Sequence, residues 1–203
     1  MTTWDERFRA GEYPRDPDPA ELLERYVGAF PDGRAADLAT GTGRNAVFLA
    51  ERGYEVDAID RSRVGLEVAV KNAEARGVAD RLNPVRADLS EFSFPEATYD
   101  VVTVSFYRTV DRLPDVRDAL IDGGVLFVEH HLRTTDDVDL GPSGDRYRFA
   151  ANELLRSCLG LTVLHYEAGR ERREADGAVG ATARILARNS TGQRQSYPFA
   201  PPD

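Results

Sequence analysis

The sequence predicts an α/β protein with a seven-stranded, mostly parallel sheet, helices on both faces and a C-terminal antiparallel hairpin strand. Two observations lead to this prediction. Up to about residue 129, five strand-like segments alternate with segments of helical spacing, and this alternation is typical of parallel strands joined by helices. The last two apolar segments alternate apolar and polar residues with no helical segment between them, which is typical of a hairpin.

The helical segments are recognised by apolar residues at helical spacing, and two of them are followed by a glycine, Gly53 or Gly77, that favours a left-handed stop. The predicted helices are 19–30, 44–52, 63–76, 114–121 and 152–159. The predicted strands are 35–39, 55–60, 82–87, 99–105, 125–129, 161–167 and 181–188. Residues 132–146 are polar, contain Gly-Pro and Ser-Gly pairs, and predict a long loop.

The 203 residues fit a single domain, and no repeat or linker divides them. We expect an N-terminal segment with one helix at 1–30, the sheet domain at 31–188, and a polar, Pro-rich tail at 189–203 that is disordered in part. A monomer and a homodimer are equally compatible with these features.

Composition excludes several classes of partner. The net charge of -9 and the pI of about 4.9 disfavour binding to phosphate backbones, so we expect no nucleic-acid partner. The chain has no apolar run long enough to span a bilayer and starts with a polar segment, so we expect neither membrane insertion nor export. One cysteine, Cys158, allows no internal disulfide, and no Cys/His cluster has zinc spacing. We therefore expect a cytoplasmic protein without a metal.

The basic residues are almost all arginine, because Lys71 is the only lysine. An acidic surplus with almost no lysine suggests adaptation to high salt, where ions screen the self-repulsion. A GC-rich genome that favours arginine codons is the alternative explanation.

The strongest local motif runs from Ala36 to Ala46, where a strand passes through a glycine turn into a helix. Gly41 and Gly43 allow a tight turn and let a ligand approach the backbone, while the helix N-terminus offers free N–H groups. Asp60 follows nineteen residues after Gly41, at the end of the next strand. A carboxylate at that place can accept hydrogen bonds from both hydroxyls of a ribose. The pattern predicts a nucleoside site.

Two cofactor classes fit this motif. The spacing of Gly41, Gly43 and Ala46 also satisfies the dinucleotide fingerprint, so NAD stays open. Asp37 at the end of the first strand would attract the ammonium group of S-adenosylmethionine and repel a pyrophosphate. Asp88, at the end of the third strand, suits an adenine amino group. The chain also leaves little room for a second, substrate-binding domain. These features favour S-adenosylmethionine.

Three stretches, Asp37–Ala46, Asp57–Asp60 and Arg86–Leu89, resemble the Rossmann-like class I S-adenosylmethionine-dependent methyltransferases. The opening Trp4–Tyr13 is similar to the N-terminal segment of the small branch that includes tellurite-resistance and thiopurine methyltransferases. The resemblance covers residues 4 to 188. It is specific for fold and cofactor, and it says little about the methyl acceptor. One departure is Thr40, where the family often has a smaller residue or cysteine.

The resemblance implies a role for each matched position. The Gly41–Gly43 turn and Asp37 would hold the methionine part, and Asp60 would hold the ribose. Ser105 would face the methyl group. Adenine would lie against Arg61, Asp88 and Leu89, and a lid over the cofactor would contain Trp4 and Tyr13. The predicted cofactor-binding residues are Trp4, Arg9, Tyr13, Asp37, Ala39, Thr40, Gly41, Gly43, Asn45, Asp60, Arg61, Asp88, Leu89 and Ser105.

The methyl acceptor is expected at the carboxyl edge of the sheet, after the fourth and fifth strands. His130 is a candidate general base because imidazole titrates near neutrality, and Tyr107 is a second catalytic candidate. Arg108, Arg146 and Tyr147 are candidate substrate residues, because arginines would attract an anionic small molecule. A soft thiol, selenium or tellurium acceptor would need little help from a base. A histidine that only shapes the pocket is the competing explanation for His130.

Three functions therefore stay open at the level of sequence. The leading one is a methyltransferase acting on a small molecule. The second is a NAD-dependent oxidoreductase on the same topology, and the third is a cofactor-binding domain without catalytic activity.

Overall fold

The computed structural model describes residues 3–173, 176–190 and 194–198 and contains one seven-stranded sheet of order β3-β2-β1-β4-β5-β7-β6. Every strand runs parallel to the others except β7, which lies antiparallel between β5 and β6. The predicted fold class is confirmed. The strands are β1 (Arg34–Leu38), β2 (Glu55–Asp60), β3 (Leu82–Arg86), β4 (Tyr99–Ser105), β5 (Leu120–His131), β6 (Thr162–Arg172) and β7 (Val179–Arg188).

Helices cover both faces of the sheet. They are α1 (Trp4–Arg9), α2 (Glu21–Tyr26), α3 (Arg44–Glu51), α4 (Arg63–Ala75), α5 (Leu113–Ala119) and α6 (Glu153–Ser157). Helices α2, α3 and α4 share one core cluster with alternate residues of the strands, and α5 and α6 share the other. Because both faces are covered, β1 is buried along almost its whole length, as central parallel strands are. Both predicted glycine stops, Gly53 and Gly77, have positive φ.

Several elements differ from the sequence prediction. Helix α1 is not among the predicted helices, α2 ends at Tyr26 instead of residue 30, and β6 continues to Arg172 instead of residue 167. Strand β5 begins at Leu120, whereas the sequence predicts helix to residue 121 and strand only from 125. Leu120 pairs with Tyr99 across an irregularity in the β4–β5 register, and Gly124 accepts a hydrogen bond from Asn189, so tertiary pairing extends the strand. The connection 87–98, all of it described, contains no helix, so the strict strand–helix alternation fails between β3 and β4.

The predicted tail begins in contact with the sheet. The Asn189 side chain donates hydrogen bonds to the carbonyls of Leu120 and Ile121, and the Ser190 and Thr162 hydroxyls lie 2.7 Å apart. Residues 191–193 and 199–203, on which most of the tail prediction falls, lie outside the described residues. In the part of the chain that the structure describes, no helix has the length and apolar character needed to cross a membrane.

The strand order reverses between β1 and β4, and this reversal locates the site. The chain leaves β1 toward β2 and β3, then returns to place β4 on the other side of β1. The connections therefore diverge at the carboxyl ends of β1 and β4 and leave a crevice there, which is where open α/β sheets bind ligands.

Candidate functional site

The glycine turn fills the carboxyl end of β1 and leads into α3. Ala39, Gly41 and Gly43 all have positive φ, of 56°, 55° and 89°. A Cβ on Gly43 would lie 2.8 Å from the Ala69 Cβ, so only glycine lets the turn pack against α4. The turn is therefore shaped by backbone conformations that few residues other than glycine adopt.

Asp60 joins this turn to the end of β2. Its side chain is buried, with 7% of the residue exposed. One carboxylate oxygen accepts a hydrogen bond from the Gly41 N–H at 2.9 Å and the other accepts one from the Ser62 N–H at 2.7 Å. Burial raises the pKa of this carboxyl despite those hydrogen bonds. The nineteen-residue spacing read from the sequence thus becomes a direct contact between the acid and the turn.

Asp37 lies beneath the same turn. It is 2% exposed, and its two carboxylate oxygens accept hydrogen bonds from the Thr103 hydroxyl at 2.6 Å and from the Thr40 hydroxyl. Burial raises its pKa to about 6. Thr40 therefore supports the acid from within the turn, which accounts for a hydroxyl residue at this position. Contact of Asp37 with an ammonium group stays a prediction.

The predicted adenine residues follow β2 and β3. The Arg61 guanidinium lies 3.8 Å from the Asp88 carboxylate, and both side chains are exposed. The Ser90 hydroxyl and N–H donate to Asp88 and lower its pKa. Leu89 is buried beside them. Burial raises the pKa of Tyr107, and the Asp88 charge adds to this increase. Tyr107 is therefore within electrostatic reach of Asp88.

Helix α1 is docked against the turn and the start of α4. The Asp5 carboxylate accepts hydrogen bonds from the Ser62 hydroxyl at 2.6 Å and from the Val64 N–H at 3.3 Å. The Phe8 ring lies 3.4 Å from the place of a Cβ on Gly41. The lid residues Trp4 and Tyr13 pack on Phe8 with ring centroids 6.2 and 5.3 Å away, while the Arg9 side chain is largely exposed. Phe8 is not among the predicted cofactor-binding residues, although its spacing of four from Trp4 indicates that the two rings share one helix face.

Ser105, at the end of β4, is held by a buried polar network. Its hydroxyl lies 2.9 Å from the Asn45 amide nitrogen and 2.9 Å from the Glu129 carboxylate. Glu129 is 2% exposed and forms ion pairs with Arg44 at 3.0 Å and Arg184 at 3.2 Å. The network joins α3, β4, β5 and β7 at the carboxyl edge of the sheet. Nothing in the sequence predicts that these side chains pair with one another across the sheet.

At the end of β5, His130 is buried and its neighbour His131 is partly buried. His130 Nε2 lies 2.8 Å from the Tyr147 carbonyl oxygen, and the His130 ring meets Phe149 edge to face at 5.2 Å. The His131 ring stacks on Phe106 at 4.8 Å. Burial lowers the pKa of each imidazole to about 4, so both are neutral at pH 7. His130 is thus a weaker base than an exposed histidine.

The arginines near this edge mostly have protein partners. Arg108 forms an ion pair with Glu153 at 2.6 Å. Arg148 donates to the carbonyls of Pro142, Leu132 and Leu140 and so shapes the long loop. Arg146 lies over the ring of the exposed Tyr147, with its guanidinium carbon 4.5 Å from the ring centroid. Arg146 is therefore the substrate candidate whose charge has no carboxylate partner among the described contacts.

The part of the chain that contains the glycine turn is similar to a known protein family. Residues 35–123, which contain β1 to the start of β5 and the whole glycine turn, match the protein family described as "Methyltransferase domain". This segment of the chain is therefore similar to a methyltransferase domain. The matched residues include Asp37, Gly41, Asp60 and Asp88.

Curated relatives of the methyltransferase domain modify different acceptors. A ribosomal protein L11 methyltransferase from Desulfitobacterium hafniense is 34% identical over 104 residues, which are 51% of this chain and 33% of the relative. A demethylmenaquinone methyltransferase from Thermus thermophilus is 43% identical over 75 residues, 36% of this chain and 33% of the relative. The matched part spans about a third of the length of these relatives, so their acceptors do not carry over.

Solved structures resemble the chain over more of its length. TehB from Haemophilus influenzae superposes with a TM-score of 0.74 and 18% identity, covering 93% of this chain and 68% of that protein. At this identity the likeness shows the shared fold. It extends well beyond the segment that matches the family.

Proposed function

We propose that this protein transfers a methyl group from S-adenosylmethionine to a small molecule. The observation that carries the proposal is the contact of Asp60 with the glycine turn inside the matched domain. A buried carboxylate that already lies against the Gly41 N–H is placed to accept hydrogen bonds from a ribose diol. S-adenosylmethionine, when bound, supplies a methyl group already activated on a sulfonium.

The residues present fit this cofactor chemically. Asp60 would hold the ribose, Arg61 with Asp88 and Leu89 would border the adenine, and Asp37 with the turn would meet the methionine part. Carboxylates at the ends of all three strands favour a ligand with an ammonium group and disfavour a pyrophosphate. This charge pattern also weighs against the NAD-dependent alternative. The work left to the chain is to align the acceptor and to exclude water.

The predicted anionic acceptor stays a prediction. Arg108 is paired with Glu153, whereas Arg146 and Arg148 have no carboxylate partner among the described contacts and keep their positive charge at this edge. A thiol, selenium or tellurium acceptor stays a prediction from the resemblance. The ends of β4 and β5 offer aromatic and buried polar groups, among them Phe106 and Glu129, and these suit a small acceptor. Nucleic acid stays disfavoured because of the net charge of -9.

Methyl transfer from radiolabelled S-adenosylmethionine to a cell extract tests the proposal. We expect label in the small-molecule fraction, and we expect it to disappear with the Asp60→Ala variant. Label in proteins alone would contradict a small-molecule acceptor. No label in either fraction, with cofactor bound, would favour the cofactor-binding alternative without catalysis.

A further inference from the structure

Ser105 lies in the crevice, on the same face of the sheet as Asp37. Asp37 pairs with Thr103 in the β1–β4 register, and the Thr103 hydroxyl donates to it, so these two side chains share one face. Side chains alternate along a strand, so Ser105, two residues after Thr103, lies on that face too and nearer the carboxyl edge. Ser105 is partly exposed, whereas Asp37 and Thr103 are buried. Ser105 is therefore a polar side chain that a ligand in the crevice can reach.

The backbone fixes the direction of one hydrogen bond at Ser105. The Ala20 N–H donates to the amide oxygen of the buried Asn45 at 3.1 Å. This contact determines which way the amide points, because an N–H group cannot donate to the amide nitrogen. The Asn45 nitrogen therefore faces Ser105 and donates to its hydroxyl oxygen at 2.9 Å.

The hydrogen of the Ser105 hydroxyl is committed as well. Its partner, at 2.9 Å, is an oxygen of the buried Glu129 carboxylate, which can only accept a hydrogen bond. Arg44 donates to the same oxygen at 3.0 Å, and Arg184 donates to the other oxygen at 3.2 Å. The neighbours of Glu129 in this network are thus all donors. The Ser105 hydroxyl therefore points its hydrogen at Glu129 and not into the crevice.

One acceptor position of Ser105 remains. A hydroxyl oxygen can accept two hydrogen bonds, and the Asn45 amide uses one of them. The second has no partner among the described contacts of Ser105. A polar ligand group that meets Ser105 must therefore donate a hydrogen bond, since a second acceptor would place two lone pairs against each other.

Phe106 gives the ligand an apolar surface next to this acceptor. Its residue is 43% exposed, and its φ of 57° is rare for a bulky side chain. The Phe106 N–H still donates to the Glu129 carbonyl oxygen at 2.9 Å, so the chain leaves the strand only after this point. The ring stacks on His131 with centroids 4.8 Å apart and stays at the carboxyl edge. Probes with an aromatic ring suit this surface.

We propose that Ser105 determines the specificity for the methyl acceptor, because it accepts a hydrogen bond from a neutral hydroxyl or N–H group that the acceptor carries. This rests on the proposed function, in which the resemblance places the transferred methyl group at Ser105. Asn45 and Glu129 are positioning residues, since they act through Ser105. A thiolate has no hydrogen to donate and would bring negative charge toward an oxygen that only accepts. The network therefore selects against the soft anionic acceptor that the resemblance suggests.

Pairs of fluorinated probes that differ in one hydroxyl hydrogen test this proposal. 4-Fluorophenol with 4-fluoroanisole, and 4-fluorobenzyl alcohol with its methyl ether, are titrated into the protein saturated with S-adenosylhomocysteine, and ¹⁹F NMR measures their affinities. We expect each hydroxyl probe to bind about 10-fold more tightly than its ether. Ser105→Ala should remove this preference and change the affinity for S-adenosylhomocysteine by less than about 2-fold.

Glu129→Gln tests the fixed direction of the Ser105 hydroxyl. A glutamine can donate through its amide nitrogen, so the Ser105 hydroxyl can turn and offer its hydrogen to the crevice. The preference for the hydroxyl probe over its ether should then fall about 5-fold. A purely structural role for Glu129 would weaken both members of a pair equally. Ser105→Ala alone decides the proposal if Glu129→Gln does not fold.

Ser157→Ala is the matched control, because Ser157 is exposed on α6 and its hydroxyl donates to the Glu153 carbonyl oxygen. It should keep the preference of the natural protein. The proposal is overturned if the ethers bind as tightly as the hydroxyl probes or if Ser105→Ala keeps the preference. It is also overturned if no probe binds while S-adenosylhomocysteine does. A protein that does not bind S-adenosylhomocysteine would instead overturn the proposed function.

Discussion

The Asp60 side chain connects the end of β2 to the glycine turn, because it accepts a hydrogen bond from the Gly41 N–H. Removing its charge with Asp60→Asn keeps the size of the side chain and one acceptor oxygen. We expect the affinity for S-adenosylhomocysteine to fall about 10- to 100-fold, because a charged acceptor contributes more to a buried hydrogen bond than a neutral one. Titration calorimetry measures this directly.

Asp122→Asn is the control for this change. Asp122 is exposed near the irregular start of β5, at the opposite edge of the sheet. The Asp122→Asn variant should therefore bind S-adenosylhomocysteine as tightly as the natural protein does. If the Asp60→Asn variant binds S-adenosylhomocysteine as tightly as this control, Asp60 does not hold the ribose.

Asp37 makes stability depend on pH. Its folded-state pKa of about 6 lies above the ordinary value of an aspartate, so between pH 4 and 6 the folded protein holds a proton that the unfolded chain has released. The free energy of unfolding therefore falls as pH rises through this window. By pH 8 the free energy of unfolding is about 3 kcal/mol lower than it would be if the pKa of Asp37 had its ordinary value.

Asp37→Asn tests whether this instability serves cofactor binding. The Thr40 and Thr103 hydroxyls can rotate to pair with an amide, so we expect the variant to melt at a higher temperature than the natural protein at pH 8 and at a similar temperature at pH 4. Its affinity for S-adenosylhomocysteine should fall. A variant that is less stable at both pH values would show that the carboxylate is needed for folding itself.

At the level of elements, α1 is the one α-helix in the described part of the chain that has no buried residue. Asp5 connects it to the start of α4, and the Phe8 ring connects it to the turn. Phe8→Ala should therefore release α1 while the sheet stays intact. We expect faster hydrogen exchange at residues 4–10, a weaker affinity for S-adenosylhomocysteine and almost the same melting temperature.

Arg15→Ala, an exposed change between α1 and α2, should leave exchange and affinity unchanged. If Phe8→Ala exchanges no faster than this control, α1 is held by contacts other than the Phe8 ring. A large drop in melting temperature would instead make α1 part of the folding core.

The sequence predicts best those elements whose first and last residues are determined by the neighbouring sequence. Strands β2 and β4 begin and end at the predicted residues, because apolar segments and flanking turn residues define them. The start of β5 at Leu120 and the burial of Glu129 depend on pairing with distant strands. The contact of Phe8 with Gly41 likewise joins residues that are far apart in sequence. The sequence indicates the spacing of Asp60 from Gly41, but it has no signal for partners such as Thr103 of Asp37 or Glu129 of Ser105.

The whole molecule carries a surplus of negative charge, and we propose that it is adapted to high salt. The net charge of -9 opposes the compact state, and screening by salt reduces this repulsion. We expect the melting temperature to rise steadily as potassium chloride increases from dilute buffer into the molar range. Equal stability at all concentrations would favour the explanation from arginine codon usage.

The central claim is that the crevice at β1 and β4 binds S-adenosylmethionine. Titration calorimetry with S-adenosylhomocysteine and, separately, with NAD tests it most directly. We predict saturable heat for one S-adenosylhomocysteine per chain and none for NAD. Saturable binding of NAD, with no heat from S-adenosylhomocysteine, would contradict the claim.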